Sequence, residues 1–224
     1  MEIISLLNNK KFTQCMRNND FDPNSLSDIN SKNSKGLTAL HIVCMNLETF
    51  SSDNTVETLL WSGADPNSRD ITGWTPLHYA LGGRDSLATV KLLLRSSNGA
   101  NPNAKTPITD LTPLHVASCF LNKSGTDSLV IFELLLRNGA DPNAKENGIY
   151  PNAKEKDIFT PLHYLSLHER ENTYMEVAKL LLQYNATPID NKTRILKLGI
   201  DIEKFVEANK RLQQRILLLE SEED

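Results

Sequence analysis

The tetrapeptide Thr-Pro-Leu-His recurs along this 224-residue chain, and no other feature restricts its fold as severely. It stands as Thr75-Pro76-Leu77-His78, Thr112-Pro113-Leu114-His115 and Thr160-Pro161-Leu162-His163, with Thr38-Ala39-Leu40-His41 as an earlier variant. The histidines are spaced by 37, 37 and 48 residues. A second motif falls between them: Gly63-Ala64-Asp65-Pro66-Asn67, Gly99-Ala100-Asn101-Pro102-Asn103 and Gly139-Ala140-Asp141-Pro142-Asn143. A worn copy, Asn185-Ala186-Thr187-Pro188, follows the last Thr-Pro-Leu-His. Each copy comes after a Leu-rich run such as Val90-Lys91-Leu92-Leu93-Leu94 or Val177-Ala178-Lys179-Leu180-Leu181-Leu182. Two motifs repeating in phase mark a stacked array, in which each unit buries its apolar face only against its neighbours.

The chemistry of the motifs assigns their places. Thr is a good helix N-cap, and Pro suits the next position, where no backbone N–H is required. Thr-Pro-Leu-His therefore opens a helix, with its Leu in the core and its His free to bond backbone groups of a neighbouring turn. The Leu runs supply the buried face of a second helix. Gly63, Gly99 and Gly139 stand where a helix ends on a left-handed residue, and Asn185 is the next most tolerant choice there. Asp-Pro-Asn then breaks the helix and turns the chain into the next unit.

In these motifs the chain resembles the ankyrin-repeat family over about residues 31–190. The resemblance implies an all-α solenoid of helix-turn-helix units with short β-hairpin loops and degenerate caps at both ends. The units are expected at 31–67, 68–103, 104–143 and 144–190. Residues 1–30 read as a worn cap with Ile3, Ile4, Leu6, Leu7, Phe12 and Met16 inward, and Asp20-Phe21-Asp22-Pro23-Asn24 in place of the glycine turn. Residues 191–224 read as capping helices and an acidic tail. The His-to-Gly intervals of 22, 21 and 24 make each unit longer than the family's roughly 33 residues. The extra length sits in polar stretches that belong between the two helices.

One insertion is a duplication. Residues 142–150 (PNAKENGIY) are echoed at once by residues 151–159 (PNAKEKDIF). The pair is expected to project as a finger between the third and fourth units, with Asn147-Gly148 as a favoured two-residue turn. It is either a functional extension or a tolerated slippage. Deleting 142–150 restores a His-to-His interval of 39 and is expected to change stability by less than about 1 kcal/mol.

Composition removes whole classes of function. With 24 Lys+Arg against 28 Asp+Glu, the net charge of −4 is not that of a nucleic-acid binder. No apolar run approaches the ~20 residues that span a bilayer, and the start lacks the basic-then-apolar order of a secretory signal. Cys15, Cys44 and Cys119 are odd in number and far apart, so neither a disulfide framework nor a metal knuckle is expected. A cytoplasmic location follows. His41, His78, His115 and His163 lie one unit, or ~10 Å, apart and cannot share one ion at ~2 Å, so a structural role is expected. There is no phosphate loop, nucleophile elbow, H-E-x-x-H or C-x-x-C. No enzyme activity, cofactor or metal is expected.

What remains is surface. Counting from each Thr-Pro-Leu-His, the resemblance places partner contacts at the residue before the motif and the residue after its His, on the concave hairpin and first-helix face. The first row is Leu37, Trp74, Leu111 and Phe159, and the second is Ile42, Tyr79, Val116 and Tyr164. Both rows are apolar or aromatic, the composition of an interaction patch, with Trp74 and Tyr79 as expected anchors. Gly36 and Gly73 precede the first-row residues as the family pattern demands. Asp110 and Ile158 depart from it, so the third and fourth hairpins are expected to bend differently. Ile202, Phe205, Asn209, Leu212, Ile216 and Leu219 form an apolar stripe broken by one Asn, which serves either a cap on the last unit or a homodimer seam. The expected function is a protein-protein interaction module, a monomer with an unidentified protein partner. Its lengthened units resemble those of intracellular bacterial and large DNA-virus members, which implies an effector acting in a host cytoplasm. The alternative is an adaptor that dimerises or recruits a second protein through 201–220.

Overall fold

A computed structural model describes residues 10–187 apart from 20, 23–27, 47–52, 83–86, 97, 121–125, 148–157 and 168–171. The structure is an all-α solenoid. Helix α1 (Lys10–Asn18) leads into four helix pairs, the last preceded by one short strand pair. The pairs are α2 (Ala39–Met45) with α3 (Asp53–Trp61), α4 (Pro76–Gly82) with α5 (Leu87–Arg95), α6 (Pro113–Cys119) with α7 (Thr126–Arg137), and α8 (Pro161–Leu167) with α9 (Asn172–Gln183). First helices pack on first helices and second on second along the stack. The postulated helices of 191–224, their dimer stripe and the residues before 10 lie outside the described residues.

Each first helix starts where the N-cap argument puts it, with Thr38 or Thr112 in extended backbone just before the first turn. The motif leucines Leu40, Leu77, Leu114 and Leu162 are all buried, as are Leu59, Leu93, Leu135 and Leu181 of the second helices. These two sets make one continuous core. Phe12 and Met16 of α1 close it at the N-terminal end, again fully buried.

An asparagine ladder runs along the turns. The side-chain amide of Asn67 donates to the Gly99 carbonyl at 3.1 Å while its oxygen accepts the Asn101 N–H at 2.7 Å. Asn103 makes the same pair of bonds to Gly139 and Asp141, and Asn143 to Asn185 and Thr187. The first rung is Asn30, which reaches Gly63 and Asp65. Asp20, Pro23 and Asn24 of the expected Asp20-Phe21-Asp22-Pro23-Asn24 turn lie outside the described residues. Phe21 N–H donates to Met16 O at the end of α1.

Three local expectations are corrected or refined. Gly63, Gly139 and Asn185 are left-handed at φ 90°, 84° and 63°, but Gly99 is not. The chain from Arg95 to Gly99 is longer here, and Ala100 N still closes on Leu93 O. Asp110 keeps the left-handed backbone of Gly36 and Gly73, at φ 56° against 73° and 81°, but its hairpin does differ from theirs: it is one residue longer, with the Leu111 carbonyl accepting from Thr106 five residues back, where Leu37 and Trp74 accept from Asn33 and Asp70 four residues back. Asp is one of the few residues that tolerates this region. Finally, Asn147 of the expected Asn147-Gly148 turn lies in a strand, and Gly148 is outside the described residues. Strand β1 (Glu146–Asn147) pairs antiparallel with β2 (Ile158–Phe159), and Asn147 stands opposite Ile158. The base of the expected finger also packs into the solenoid, since Ala144 and Glu146 are buried. Residues 148–157, where it would project, lie outside the described residues.

Candidate functional site

The buried histidines build the hairpin face. His41 Nδ1 accepts the Thr38 backbone N–H at 3.1 Å, and its Nε2 meets the Trp74 carbonyl of the next hairpin at 3.2 Å. His78 reaches Leu111 O and His115 reaches Phe159 O in the same way. A backbone donor on Nδ1 leaves the proton on Nε2, where it bonds the carbonyl, so both nitrogens are committed. Burial is the main reason that all three stay neutral, and it holds His78 and His115 down to about 4. Each histidine thereby fixes the residue just before the next Thr-Pro-Leu-His. Among the described residues no cluster suited to a metal ion occurs.

The hairpins close from within by a repeating device. Asn33, Asp70 and Thr106 each accept, through the side chain, the backbone N–H of the first-row residue: Leu37 at 2.9 Å, Trp74 at 2.9 Å and Leu111 at 3.0 Å. In the second unit the other Asp70 oxygen accepts the Tyr79 hydroxyl at 2.7 Å. In the fourth, Glu146 accepts the hydroxyl of Tyr164. A carboxylate thus meets a tyrosine in the even units, while Asn33 with Ile42 and Thr106 with Val116 occupy the same places in the odd ones. Burial raises both carboxyls. At Asp70 the bonds from Tyr79, Thr72 and Trp74 outweigh it and hold the group below its usual range, whereas Glu146 stays above. Aromatic rings gather on each pair. Trp74 lies 5.1 Å from Tyr79, which stands edge-on to His41 at 5.9 Å. Phe159, Tyr164 and His115 repeat the arrangement, with ring separations of 5.9 Å and 5.9 Å.

The structure divides the eight expected contact residues. Trp74, Tyr79, Leu111 and Phe159 are half-buried and reach the surface. Leu37, Ile42, Val116 and Tyr164 are buried, at 4%, 0%, 1% and 7% exposure. The expectation of two exposed apolar rows fails for these four. Consecutive first helices pack closely, so Ile42 and Val116 are lost in the core, while of the two tyrosines at this position Tyr79 is half-buried and Tyr164 is buried with its hydroxyl on Glu146. Sequence reasoning missed Ile71 and Ile108, which stand 73% and 82% exposed on adjacent hairpin tips. Their signal was a β-branched apolar residue inside a polar turn. Between the second, third and fourth hairpins lies an open groove of about 580 Å³ lined by Trp74, Ile108, Thr109, Leu111, Glu146 and Tyr164 among others.

The cysteines are packing residues. Cys15 and Cys44 are buried, and burial pushes all three thiols up, Cys119 to about 12. Among the described residues no helix is long and apolar enough to cross a membrane.

Repeating helix pairs, the asparagine ladder and the histidine bridges agree with comparison to known sequences. The family profile described as ankyrin repeats (3 copies) matches residues 3–106 and 48–146. The chain belongs to the ankyrin-repeat family. An ankyrin repeat protein of fowlpox virus (strain NVSL) is 36% identical over 168 residues, 74% of this chain and 44% of the relative. One from Acanthamoeba polyphaga mimivirus is 31% identical over 134 residues, covering 54% and 23%. NF-kappa-B inhibitor alpha of Homo sapiens is 34% identical over 124 residues, covering 54% and 36%. The ankyrin-repeat chain thus spans less than half the length of each of these relatives. Ankyrin repeats are protein-protein interaction modules and typically not enzymes.

Proposed function

We propose that this ankyrin-repeat chain captures a partner protein in the groove over its second to fourth hairpins. Trp74 and Tyr79 form the centre, with Leu111 and Phe159 alongside and the exposed tips Ile71 and Ile108 at the rim. The observation that carries this reading is the Trp74–Tyr79 pair. It is half-exposed, beside an apolar groove, and locked by Asp70 through bonds to both residues. Such a rigid aromatic pair loses little entropy on binding, which is what an interface anchor needs. The buried Leu37, Ile42 and Val116 belong to the core against which Trp74, Tyr79 and Leu111 pack, and Tyr164 lines the groove itself. The viral relatives favour a partner that is a host protein met in the host cytoplasm. Capture from host lysate by wild type and by Trp74→Ala and Ile108→Ser variants tests the reading. A partner retained equally by both variants, with helical content unchanged, overturns it.

A further inference from the structure

We infer that the groove takes an arginine side chain of the bound protein, with Glu146 as its counter-ion and Trp74 as its stacking face. The inference rests on the groove being the partner site and names the group recognised there. Glu146 is the one charged residue among the described residues that line the groove. The other described walls are threonines and the apolar or aromatic Trp74, Ile108, Leu111 and Tyr164. Glu146 is only 2% exposed, so its carboxylate is held almost out of water at the side of an open, mainly apolar groove.

The two carboxylate–tyrosine pairs differ in what they lack. Asp70 accepts four hydrogen bonds: from the Thr72 and Trp74 backbone N–H groups at 2.8 Å and 2.9 Å, and from the Thr72 and Tyr79 hydroxyls, each at 2.7 Å. Those bonds hold it below the usual carboxylate range. Among the described residues the Glu146 side chain accepts one bond, from the Tyr164 hydroxyl, and burial raises its carboxyl. The other group that feels its charge, the Cys119 thiol, brings no positive charge either. An ionised carboxylate offers about four acceptor sites and is costly to bury unpaired. Asp70 is therefore complete within its own hairpin, whereas Glu146 is short of donors and of a cation, and the groove is the open approach to it.

The walls select a guanidinium over an ammonium. A Lys ammonium is a compact, strongly hydrated charge, and it loses much of that hydration in an apolar groove. A guanidinium is planar and weakly hydrated, and it stacks on aromatic faces, of which Trp is the best. Its fork also donates more than one N–H to a carboxylate. Trp74 is held ready for the stack, through its backbone bond to Asp70 and its ring 5.1 Å from Tyr79. Leu111 and Ile108 offer an apolar track for the methylene stem. An acidic or purely apolar segment in the groove leaves Glu146 as short of partners as before.

Two peptides that differ in one group test this on the full chain: Ac-Leu-Arg-Leu-amide, and the same peptide with citrulline, whose neutral urea replaces the guanidinium at nearly equal size. NMR follows the indole N–H signals of the chain's two tryptophans, with Trp61 of α3 as the internal control. The arginine peptide should shift the Trp74 signal, leave that of Trp61 in place, and bind at least about tenfold more tightly than the citrulline peptide. With the arginine peptide bound, the Glu146 carboxyl carbon should titrate about one pH unit lower than without it, the same tenfold seen from the carboxylate. Glu146→Gln keeps an oxygen for the Tyr164 hydroxyl and should bind the two peptides equally, with its helical circular dichroism unchanged. If wild type does not distinguish the peptides, or if Glu146→Gln keeps the preference for arginine, the inference is wrong. The wild-type comparison stands even where Glu146→Gln fails to fold. A host protein that is lost by Trp74→Ala but retained equally by Glu146→Gln would overturn the arginine assignment while leaving the groove as the partner site.

Discussion

His78 and His115 are the residues most exposed to a change of pH. In the unfolded chain each titrates near 6.5, and in the fold burial lowers both to about 4. The folded state prefers the neutral ring, so their contribution is complete above pH 6.5 and is lost as pH falls from there toward 4. Asp70 has the opposite charge logic. Its lowered value adds stability above the ordinary carboxylate range and loses it only below, so it does not offset the histidines in that window. A melting temperature that falls steadily between pH 6.5 and 4 is expected, and a flat profile would contradict the buried neutral tautomer. The tyrosine hydroxyls make a second residue-scale case. Tyr79→Phe removes a bond to a charged oxygen at 2.7 Å, and denaturant melts should show a loss of about 1.5–3 kcal/mol. If the variant melts like wild type, Asp70 is satisfied without Tyr79.

At the scale of elements, two features repeat: the leucine face of the second helices and the ladder between turns. Leu93 and Leu135 have no exposed surface. Leu93→Ala or Leu135→Ala should each lower stability by roughly 2–5 kcal/mol, the range for emptying a packed site. Asn103→Ala should cost less, about 0.5–1.5 kcal/mol, because the Gly139 carbonyl and the Asp141 N–H that lose their rung are exposed to water. Its effect should spread unequally, raising hydrogen exchange at the start of the fourth unit more than in the first. Uniform exchange across the stack would mean that the ladder carries no coupling between neighbours. The hairpins are held more tightly than their short length implies. A Cβ on Gly73 would lie 2.2 Å from Pro107 Cδ of the next hairpin, so that turn is bounded by sterics as well as by its positive φ.

The whole molecule is a one-dimensional stack, lengthened before the fourth helix pair by the duplicated segment. Removing 142–150 takes out Asn143, Ala144 and Glu146, all of them docked. A purely external finger would cost almost nothing to delete, but these contacts are structural. Residues 151–155 repeat the sequence of 142–146 without a change, and in the shortened chain Ile158 takes the place before Thr160 that Gly36, Gly73 and Asp110 hold in left-handed backbone before their threonines. The deletion is therefore expected to fold and to lose about 1–2 kcal/mol, measured by denaturant melting. Adding Ile158→Gly to the deletion should recover most of that loss. Unfolding of the fourth unit in both proteins would show that the two copies are not interchangeable.

Much of this was legible in one dimension because a repeat states its own local rules several times. Thr before Pro sets each helix start, Leu at fixed spacing sets the core, and Asn185 in a glycine position announces its left-handed backbone. These depend on dihedral preference and on apolar period, both properties of a few adjacent residues. The surface was read less well. Whether Ile42 or Tyr79 reaches solvent depends on how closely α2 and α4 pack, and that distance is set by the side chains of two units at once. The Asp70–Tyr79 and Glu146–Tyr164 pairs join residues nine and 18 positions apart, distances at which no helical or strand period applies. The exposed Ile71 and Ile108 became a site only when stacking brought their hairpins side by side over one groove. The sequence by itself determined the helix pairs and their order; the tertiary structure alone decided which apolar residues are left at the surface, because burial is a property of neighbours and not of residue type.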